Sequence, residues 1–252
     1  MKSIKKIVAM SLVIFLLAPM QVDASEDVDQ ILRMRGVPEE LINIMLEEQK
    51  QEIVENNLVY DSYTNEEMSF DSAGNVMARG TISDSTLSLT CSCYKESGYS
   101  TSKKRMTFYV NYDWSSVPQM TLTDAYGIAW SENWTAVPNS HKSYTYWKLE
   151  HNTRIEGETE TALAYANQYG AGWNTDIKYA YGLQYVTDNY GYSRITLEAK
   201  NPSKSGTDQV RANYTHRKGV AGSFGLSFGI CSVSYSGSAD ADSKGIYFNF
   251  SY

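Results

Sequence analysis

The spacing of apolar residues changes once along the chain, from a helical period to a period of two. From Val28 to about residue 57, apolar side chains recur every three or four positions, first before Gly36 and then after Pro38: Val28, Ile31, Leu32, Leu41, Ile44, Met45 and Ile53. Pro38 suits the first position of a helix, and Asn56 with Asn57 suits a helix end. The pattern predicts one short helix followed by a longer one.

From residue 58 onward, apolar and polar residues alternate in short runs separated by turn residues. The clearest run, Thr86–Tyr94, places four apolar side chains on one face of a strand: Leu87, Leu89, Cys91 and Cys93. No helical crossovers separate these runs. The sequence therefore predicts a mostly β fold, an antiparallel β-sandwich-like domain with a short N-terminal helical segment. Glu158–Tyr169 alternates as well, although its alanines would also tolerate a helix.

Two later segments alternate strongly. In Asp176–Lys200, Asp188–Gly191 reads as the turn of a hairpin whose arms carry the apolar residues Ile177, Tyr179, Tyr181, Leu183 and Tyr185, then Ile195, Leu197 and Ala199. In the second segment, the alternation of Phe224, Leu226, Phe228 and Ile230 shifts to Val233 and Tyr235, which predicts a bulge.

The first residues have the pattern of a secretory signal peptide. Three lysines precede an apolar run, Ile7–Ala18, and Val22-Asp23-Ala24 supplies small or medium residues at a cleavage site. The run is shorter than the roughly 20 residues that a membrane-spanning helix needs, which argues against an uncleaved anchor. We therefore expect a signal peptide at residues 1–24, cleaved near Ala24, an acidic helical segment at 25–57, a β-rich domain at 58–252, and a secreted, extracellular protein.

The formal charge of the chain is −7, and removal of residues 1–24 would make it −9. Residues 25–57 hold nine acids and three bases, so most of this charge lies on the helical segment. The β-rich part is close to neutral, and no stripe of Lys and Arg crosses it. This balance argues against nucleic acid as a partner.

The three cysteines leave two interpretations open. Cys91 and Cys93 should face the same side of a strand, and one of them could pair with Cys231 in an oxidising compartment. Alternatively, all three are buried thiols that pack as small apolar groups. Cys-x-Cys with one distant Cys is a poor zinc set, and the sequence predicts no metal site and no cofactor.

No catalytic residue is predicted. None of the three histidines (His141, His151 and His216) lies in a recognisable nucleophile context. Glu156, Glu158 and Glu160 share a predicted strand face, which an exposed face explains as well as a catalytic pair does. Asp240 and Asp242 fit a polar hairpin tip better than a calcium site. A hydrolase whose residues converge from distant strands remains the second alternative.

The density of large aromatic residues is the most informative functional feature. Four tryptophans fall within a short stretch: Trp130, Trp134, Trp147 and Trp173. Flat rings with a polar edge suit sugars and protein partners, although they also fill sandwich cores. The leading interpretation is therefore a non-catalytic binding module for cell-wall carbohydrate or a protein partner, with these four residues as candidate ligand contacts.

Residues Thr123–Trp130, which follow Tyr112-Asp113-Trp114 and Pro118, resemble stretches of uncharacterised exported proteins of Gram-positive bacteria. These also tend to open with an acidic helix like Pro38–Asn57. The resemblance implies a secreted bacterial protein and supplies no functional residues.

A sharper alternative is a membrane-active, pore-forming β protein. The arms of the Asp176–Lys200 hairpin approach the roughly 9–11 residues that a tilted transmembrane strand needs, and one face of the first arm is continuously apolar. Such a protein has to store its hairpin before insertion and then oligomerise, because open sheet edges are not tolerated in hydrocarbon. A membrane is a partner under this alternative alone.

Overall fold

The computed structural model describes residues 24–65, 67–70, 76, 77, 82, 86–118, 120–150 and 155–252. Side chains are described for all of these except 24–27, 67–70, 76, 77 and 155–160. The predicted signal peptide up to Asp23, His151 and the side chains of the three alternating glutamates therefore lie outside the described residues. Within the described part of the chain, no helix is both long enough and apolar enough to cross a membrane.

The N-terminal segment forms three helices instead of the two that the pattern predicts: α1 Ala24–Met34, α2 Glu39–Ile44 and α3 Glu47–Glu55. The extra break falls at Met45, whose backbone is extended with φ −75° and ψ 144°. Met45 and its neighbour Leu46 are both buried. Both residues belong to the cluster that packs the helices against the first sheet, so the break lies inside this core.

Seventeen strands follow in the described chain, many of them in sequence-adjacent antiparallel pairs. They are β1 Val59–Thr64, β2 Glu67–Phe70, β3 Val76–Met77, β4 Leu87–Lys95, β5 Arg105–Trp114, β6 Thr123–Trp130, β7 Trp134–Ala136, β8 Lys142–Leu149, β9 Ile155–Glu160, β10 Leu163–Asn167, β11 Gly170–Asp176, β12 Ala180–Tyr181, β13 Gln184–Ala199, β14 Thr207–Arg217, β15 Leu226–Gly229, β16 Ser232–Tyr235 and β17 Ala241–Ser251. The segment that fitted both a strand and a helix is therefore extended over β9 and β10.

Two antiparallel sheets face each other across one core. The first has the order β1-β4-β5-β13-β8-β9, with β7 and β12 also pairing with β13, and the second has the order β10-β11-β6-β14-β17-β2-β3. Alternate side chains of both sheets meet in one buried cluster, in which the inward face of β4 contributes the four residues predicted from its pattern. The prediction of a mostly β, sandwich-like fold with a short helical segment is confirmed.

The predicted turn at Asp188–Gly191 is wrong. Those residues lie inside β13, which pairs with β5 on one side and with β8 on the other. The true turn is Gly182-Leu183, since Tyr181 pairs with Gln184. Gly182 has a φ of 63°, the conformation that a two-residue hairpin turn requires of its first residue. Pairing on both sides of β13 overrides the local turn preference of Asp-Asn-Tyr-Gly.

The three helices cover the outer face of the first sheet, which is rich in tyrosine. Tyr94, Tyr109, Tyr146 and Tyr192 are buried there against apolar side chains of the helices. The contact also has a polar anchor: buried Glu52 of α3 forms an ion pair with Arg194 of β13 and lies 3.6 Å from the Lys142 amine of β8.

A reciprocal amide pair lies beneath α3. The Gln49 side chain donates to Asn111 Oδ1 at 3.2 Å and accepts from Asn111 Nδ2 at 2.8 Å, and both residues are buried. Replacing Asn111 with Ala leaves the Gln49 amide unpaired inside the protein. We expect the free energy of unfolding to fall by about 1–3 kcal/mol, measured by urea denaturation.

The matched control is Asn249→Ala, which breaks an exposed amide pair with Gln209. Its loss should stay within about 0.5 kcal/mol, as for other surface changes. Equal losses for the two variants would contradict the assignment of the Gln49–Asn111 pair as a buried anchor of the helices.

Candidate functional site

The four tryptophans predicted as ligand contacts are all buried. Trp130, Trp134 and Trp173 belong to the main core, whereas Trp147 packs with Leu149 and Val186 in a small separate cluster. The Trp134 indole donates to Asp208 Oδ2 at 3.0 Å. Ligand binding by these four rings stays a prediction, since the structure presents no broad face of them to solvent.

The three cysteines are free thiols. Cys91 and Cys93 lie in the main core, and burial raises the pKa of both thiols well above the ordinary range. Cys231 is half-buried on the far side of the second sheet, where its thiol donates to the Gln209 carbonyl at 3.3 Å. The structure thus corresponds to the unpaired alternative.

One histidine does meet a carboxylate. His216 Nδ1 lies 3.0 Å from both Asp124 oxygens, and the same carboxylate accepts hydrogen bonds from Tyr214 Oη at 2.8 Å and the Arg217 amide at 3.0 Å. Burial raises the pKa of Asp124, and its hydrogen bonds partly oppose that shift. Both His216 and Asp124 are buried, so we assign the pair to the structural anchoring of the end of β14.

A cavity of about 850 Å³ lies between the helices and the first sheet. Its wall includes the carboxylates of Glu40, Glu47, Asp113 and Asp188, and the amine of Lys148. Burial and the nearby Asp188 raise the pKa of Asp113. Among the described residues, no group of three or more His, Cys, Asp or Glu is placed to hold a metal ion.

The most unusual element lies between β14 and β17, which pair with each other up to Arg217 and Ala241. The intervening chain, Lys218–Asp240, folds back onto the outer face of the second sheet and is called the stored hairpin below. Its two short strands, β15 and β16, pair Leu226 with Tyr235 and Phe228 with Val233. The two-residue turn between them contains Cys231, which has a positive φ of 45°.

The stored hairpin has two chemically distinct faces. One face is apolar: Phe224, Leu226, Phe228, Val233 and Tyr235. The other consists of glycine and serine: Ser223, Gly225, Ser227, Gly229, Ser232, Ser234, Ser236 and Ser238. No charged residue occurs from Gly219 to Ala239. The bulge predicted between Ile230 and Val233 is wrong, because Ile230 and Cys231 form a turn and both arms keep the same two faces.

Three glycines form the floor on which the stored hairpin rests. A Cβ atom added to Gly170 would lie 2.1 Å from the Phe228 ring, and one added to Gly127 or Gly172 would lie 2.7–2.8 Å from it. Contacts this close do not occur, so Phe228 occupies space that any larger residue would fill. We call Gly127, Gly170 and Gly172 the glycine floor.

Six hydrogen bonds between the stored hairpin and strands of the second sheet reinforce this packing. Asn167 Nδ2 donates to the Phe228 carbonyl at 2.9 Å, and the Cys231 amide donates to the Trp130 carbonyl at 3.1 Å. At the base, the Lys218 amine lies 3.0 Å from Asp242 and 3.7 Å from Asp240. Asp240 and Asp242 are therefore partners of a lysine, in keeping with a polar hairpin end.

A second exposed feature is the turn between β12 and β13. Tyr179, Tyr181 and Tyr185 are each more than half exposed, and Leu183 at the apex is completely exposed. We call these four residues the aromatic tip. The sequence placed them on one apolar face with Ile177, but only Ile177 is buried.

No family model matches the chain, and no curated protein matches its sequence. Among solved structures, the delta-toxin of Clostridium perfringens is 8% identical, with 68% of this chain and 87% of the toxin covered and a TM-score of 0.32. A structure described as a pore forming protein is 10% identical, with 77% and 91% covered and a TM-score of 0.34. The membrane-inserted form of the Clostridium perfringens NetB toxin is 8% identical, with 76% and 96% covered and a TM-score of 0.30.

The leading sequence interpretation, a non-catalytic binding module, is wrong. The matched structures are pore-forming toxins, which is the class of protein that the alternative interpretation named.

A substitution in the glycine floor tests whether the stored hairpin depends on packing against these glycines. In Gly170→Ala, the added methyl group displaces Phe228, at a cost of about 1–3 kcal/mol for overpacking. Because each 1.4 kcal/mol is a factor of ten, the Cys231 thiol should react with a thiol reagent roughly ten- to hundredfold faster. The buried thiols of Cys91 and Cys93 should stay unreactive. The readout is the labelling rate of the native protein.

Gly206→Ala is the matched control, because the nearest atom to its added Cβ is 3.8 Å away. Its labelling rate should equal that of the wild type. If Gly170→Ala also labels at the wild-type rate, the stored hairpin does not depend on the glycine floor.

Proposed function

We propose that this chain is a secreted, pore-forming β protein in which the stored hairpin Lys218–Asp240 is the membrane-inserting element. The observation that carries the proposal is the pair of faces, one apolar and one of glycine and serine, that both arms keep between residues 223 and 236, within a stretch without charge from Gly219 to Ala239. A strand between lipid and water needs this alternation. The apolar face would meet lipid and the serine face would meet water.

The length of the segment agrees with this role. Gly219–Gly229 provides a first arm of 11 residues, and Ser232–Asp240 a second arm of nine. A tilted transmembrane strand needs about 9–11 residues. In the stored form, only four residues of each arm are in strands, so insertion requires the hairpin to unfold from the sheet and extend.

The surrounding strands permit that extension. β14 and β17 form a continuous ladder that ends at Arg217 and Ala241, where the stored hairpin begins and ends. An extended hairpin prolongs this ladder without any change in the two strands. The cost is local: the packing of Phe228 on the glycine floor and the hydrogen bonds between the hairpin and the second sheet are lost.

A single inserted hairpin leaves backbone groups unpaired at both of its edges, and hydrocarbon offers them no partner. Several copies must therefore pair their hairpins edge to edge in a closed ring. This requirement makes the proposed pore an oligomer of the chain, with the serine faces lining the water-filled passage.

The Asp176–Lys200 segment, which the sequence suggested for this role, does not suit it. Its second arm lies in β13, the central strand of the first sheet, and leaving the sheet would break the ladders with both β5 and β8. The apolar residues Ile195 and Leu197 also belong to the main core. The stored hairpin breaks no ladder of either large sheet when it leaves.

The experiment is dye release from phosphatidylcholine vesicles with two neighbouring substitutions. Phe224 belongs to the apolar face and is half-buried, whereas Ser223 belongs to the opposite face and is exposed. Phe224→Asp places a charge against lipid and should abolish release, while Ser223→Asp places it in water and should retain most of the release. Equal effects of the two variants would contradict the two-faced insertion.

A fluorescence scan gives an independent readout. In a Cys231→Ser background, single cysteines at positions 223–228 are labelled with a polarity-sensitive dye. On membranes, the emission should alternate between apolar and aqueous with a period of two. A uniform aqueous signal in the presence of dye release would assign the pore to another segment.

A further inference from the structure

The aromatic tip is a dense cluster of exposed apolar surface. Of the large hydrophobic residues that the structure shows exposed, four fall within seven consecutive positions: Tyr179, Tyr181, Leu183 and Tyr185. The others are separated along the chain from one another or lie in the stored hairpin. Large apolar groups clustered at the surface mark a site of interaction.

The tip is held in a defined shape. The rings of Tyr179 and Tyr185 meet edge to face at 5.5 Å, and Tyr181 packs against Trp147 at 5.9 Å. Behind them, the Val186 amide donates to the Tyr179 carbonyl at 2.9 Å. Local contacts therefore hold the exposed rings in place, and the tip is preorganised for binding to another surface.

We propose that the aromatic tip docks on the interfacial region of a phospholipid bilayer. Tyrosine suits that region, since its ring enters the apolar layer while its hydroxyl remains hydrated. Leu183 at the apex would enter most deeply. No charged residue occurs from Tyr179 to Thr187 in a chain whose formal charge is −7, so the tip avoids the cost of carrying acids to the bilayer.

The position of the tip in the fold favours a bilayer over other partners. β11 ends at Asp176 opposite Thr123 of β6, and two residues further into the sheet Ala125 of β6 pairs with Thr215 of β14. The chain thus leaves for the aromatic tip at the same end of the second sheet at which β14 gives way to the stored hairpin. Docking of the tip on lipid therefore brings the base of the stored hairpin to the bilayer.

This inference rests on the proposed function for its partner, but the two are tested by different measurements. Docking is measured as the fraction of protein that floats with phosphatidylcholine vesicles, and insertion as dye release. Leu183→Asp should lower the bound fraction by about tenfold or more, since moving a carboxylate in place of Leu toward the apolar layer costs at least about 1.4 kcal/mol. Dye release should fall with it.

The matched control is Ile44→Asp, which changes an exposed isoleucine on α2. It should float and release dye as the wild type does. Because Leu183 is completely exposed, its variant should keep the near-ultraviolet circular dichroism of the wild type. Tyr181→Phe, which keeps the ring, should retain most of the binding.

The outcomes separate the two proposals. If the Phe224→Asp variant floats with the vesicles but releases no dye, the result supports docking independently of insertion. If the Leu183→Asp variant floats with the vesicles as the wild type does, the proposed docking role of the tip is overturned, whatever the dye release. Binding of the wild type to vesicles only when they carry a protein or glycan receptor also overturns it, because a plain phospholipid surface would then not be the partner.

Discussion

β13 is the strand on which the rest of the structure depends. It pairs with β5 and β8 along most of its length, so it holds together the centre of the first sheet. One of its faces sends Ile195 and Leu197 into the main core, and the other sends Tyr192 and Arg194 beneath the helices. The aromatic tip lies at its N-terminal end and includes Tyr185 of the strand itself. A strand that is paired at both edges and packed on both faces is held rigidly. A segment that changes position on a membrane therefore has to come from another part of the chain.

The stored hairpin is the opposite case. Phe228 and its neighbours lie over glycine and alanine residues of β6 and β11, and hydrogen bonds with β6, β10 and β14 add to this apolar contact. The apolar face needs burial, and packing on the sheet and contact with lipid both satisfy it. The glycine and serine face can be hydrated in both settings. One sequence pattern is thus compatible with two environments, which is the physical requirement for a segment that is stored first and inserted later.

The charge distribution agrees with this division of the molecule. Most of the formal negative charge lies on the helices, which cover the outer face of the first sheet, and the stored hairpin lies on the outer face of the second. The aromatic tip and the stretch from Gly219 to Ala239 are both free of charge. The two segments proposed to meet lipid are therefore those in which the desolvation of charge costs nothing.

The change from a helical period to a period of two determined the fold class, because amphipathic periods follow from local backbone geometry. The same local information contained both faces of the stored hairpin, from Phe224 to Tyr235. Tertiary structure alone decided where the turns fall: Asp-Asn-Tyr-Gly favours a turn, yet pairing on both sides keeps it within β13. It also decided which aromatic residues are exposed. Alternation cannot distinguish Trp173 from Tyr181, since a core face and a solvent-exposed apolar tip have the same period, and only the packing of the second sheet against the first buries one and leaves the other in water.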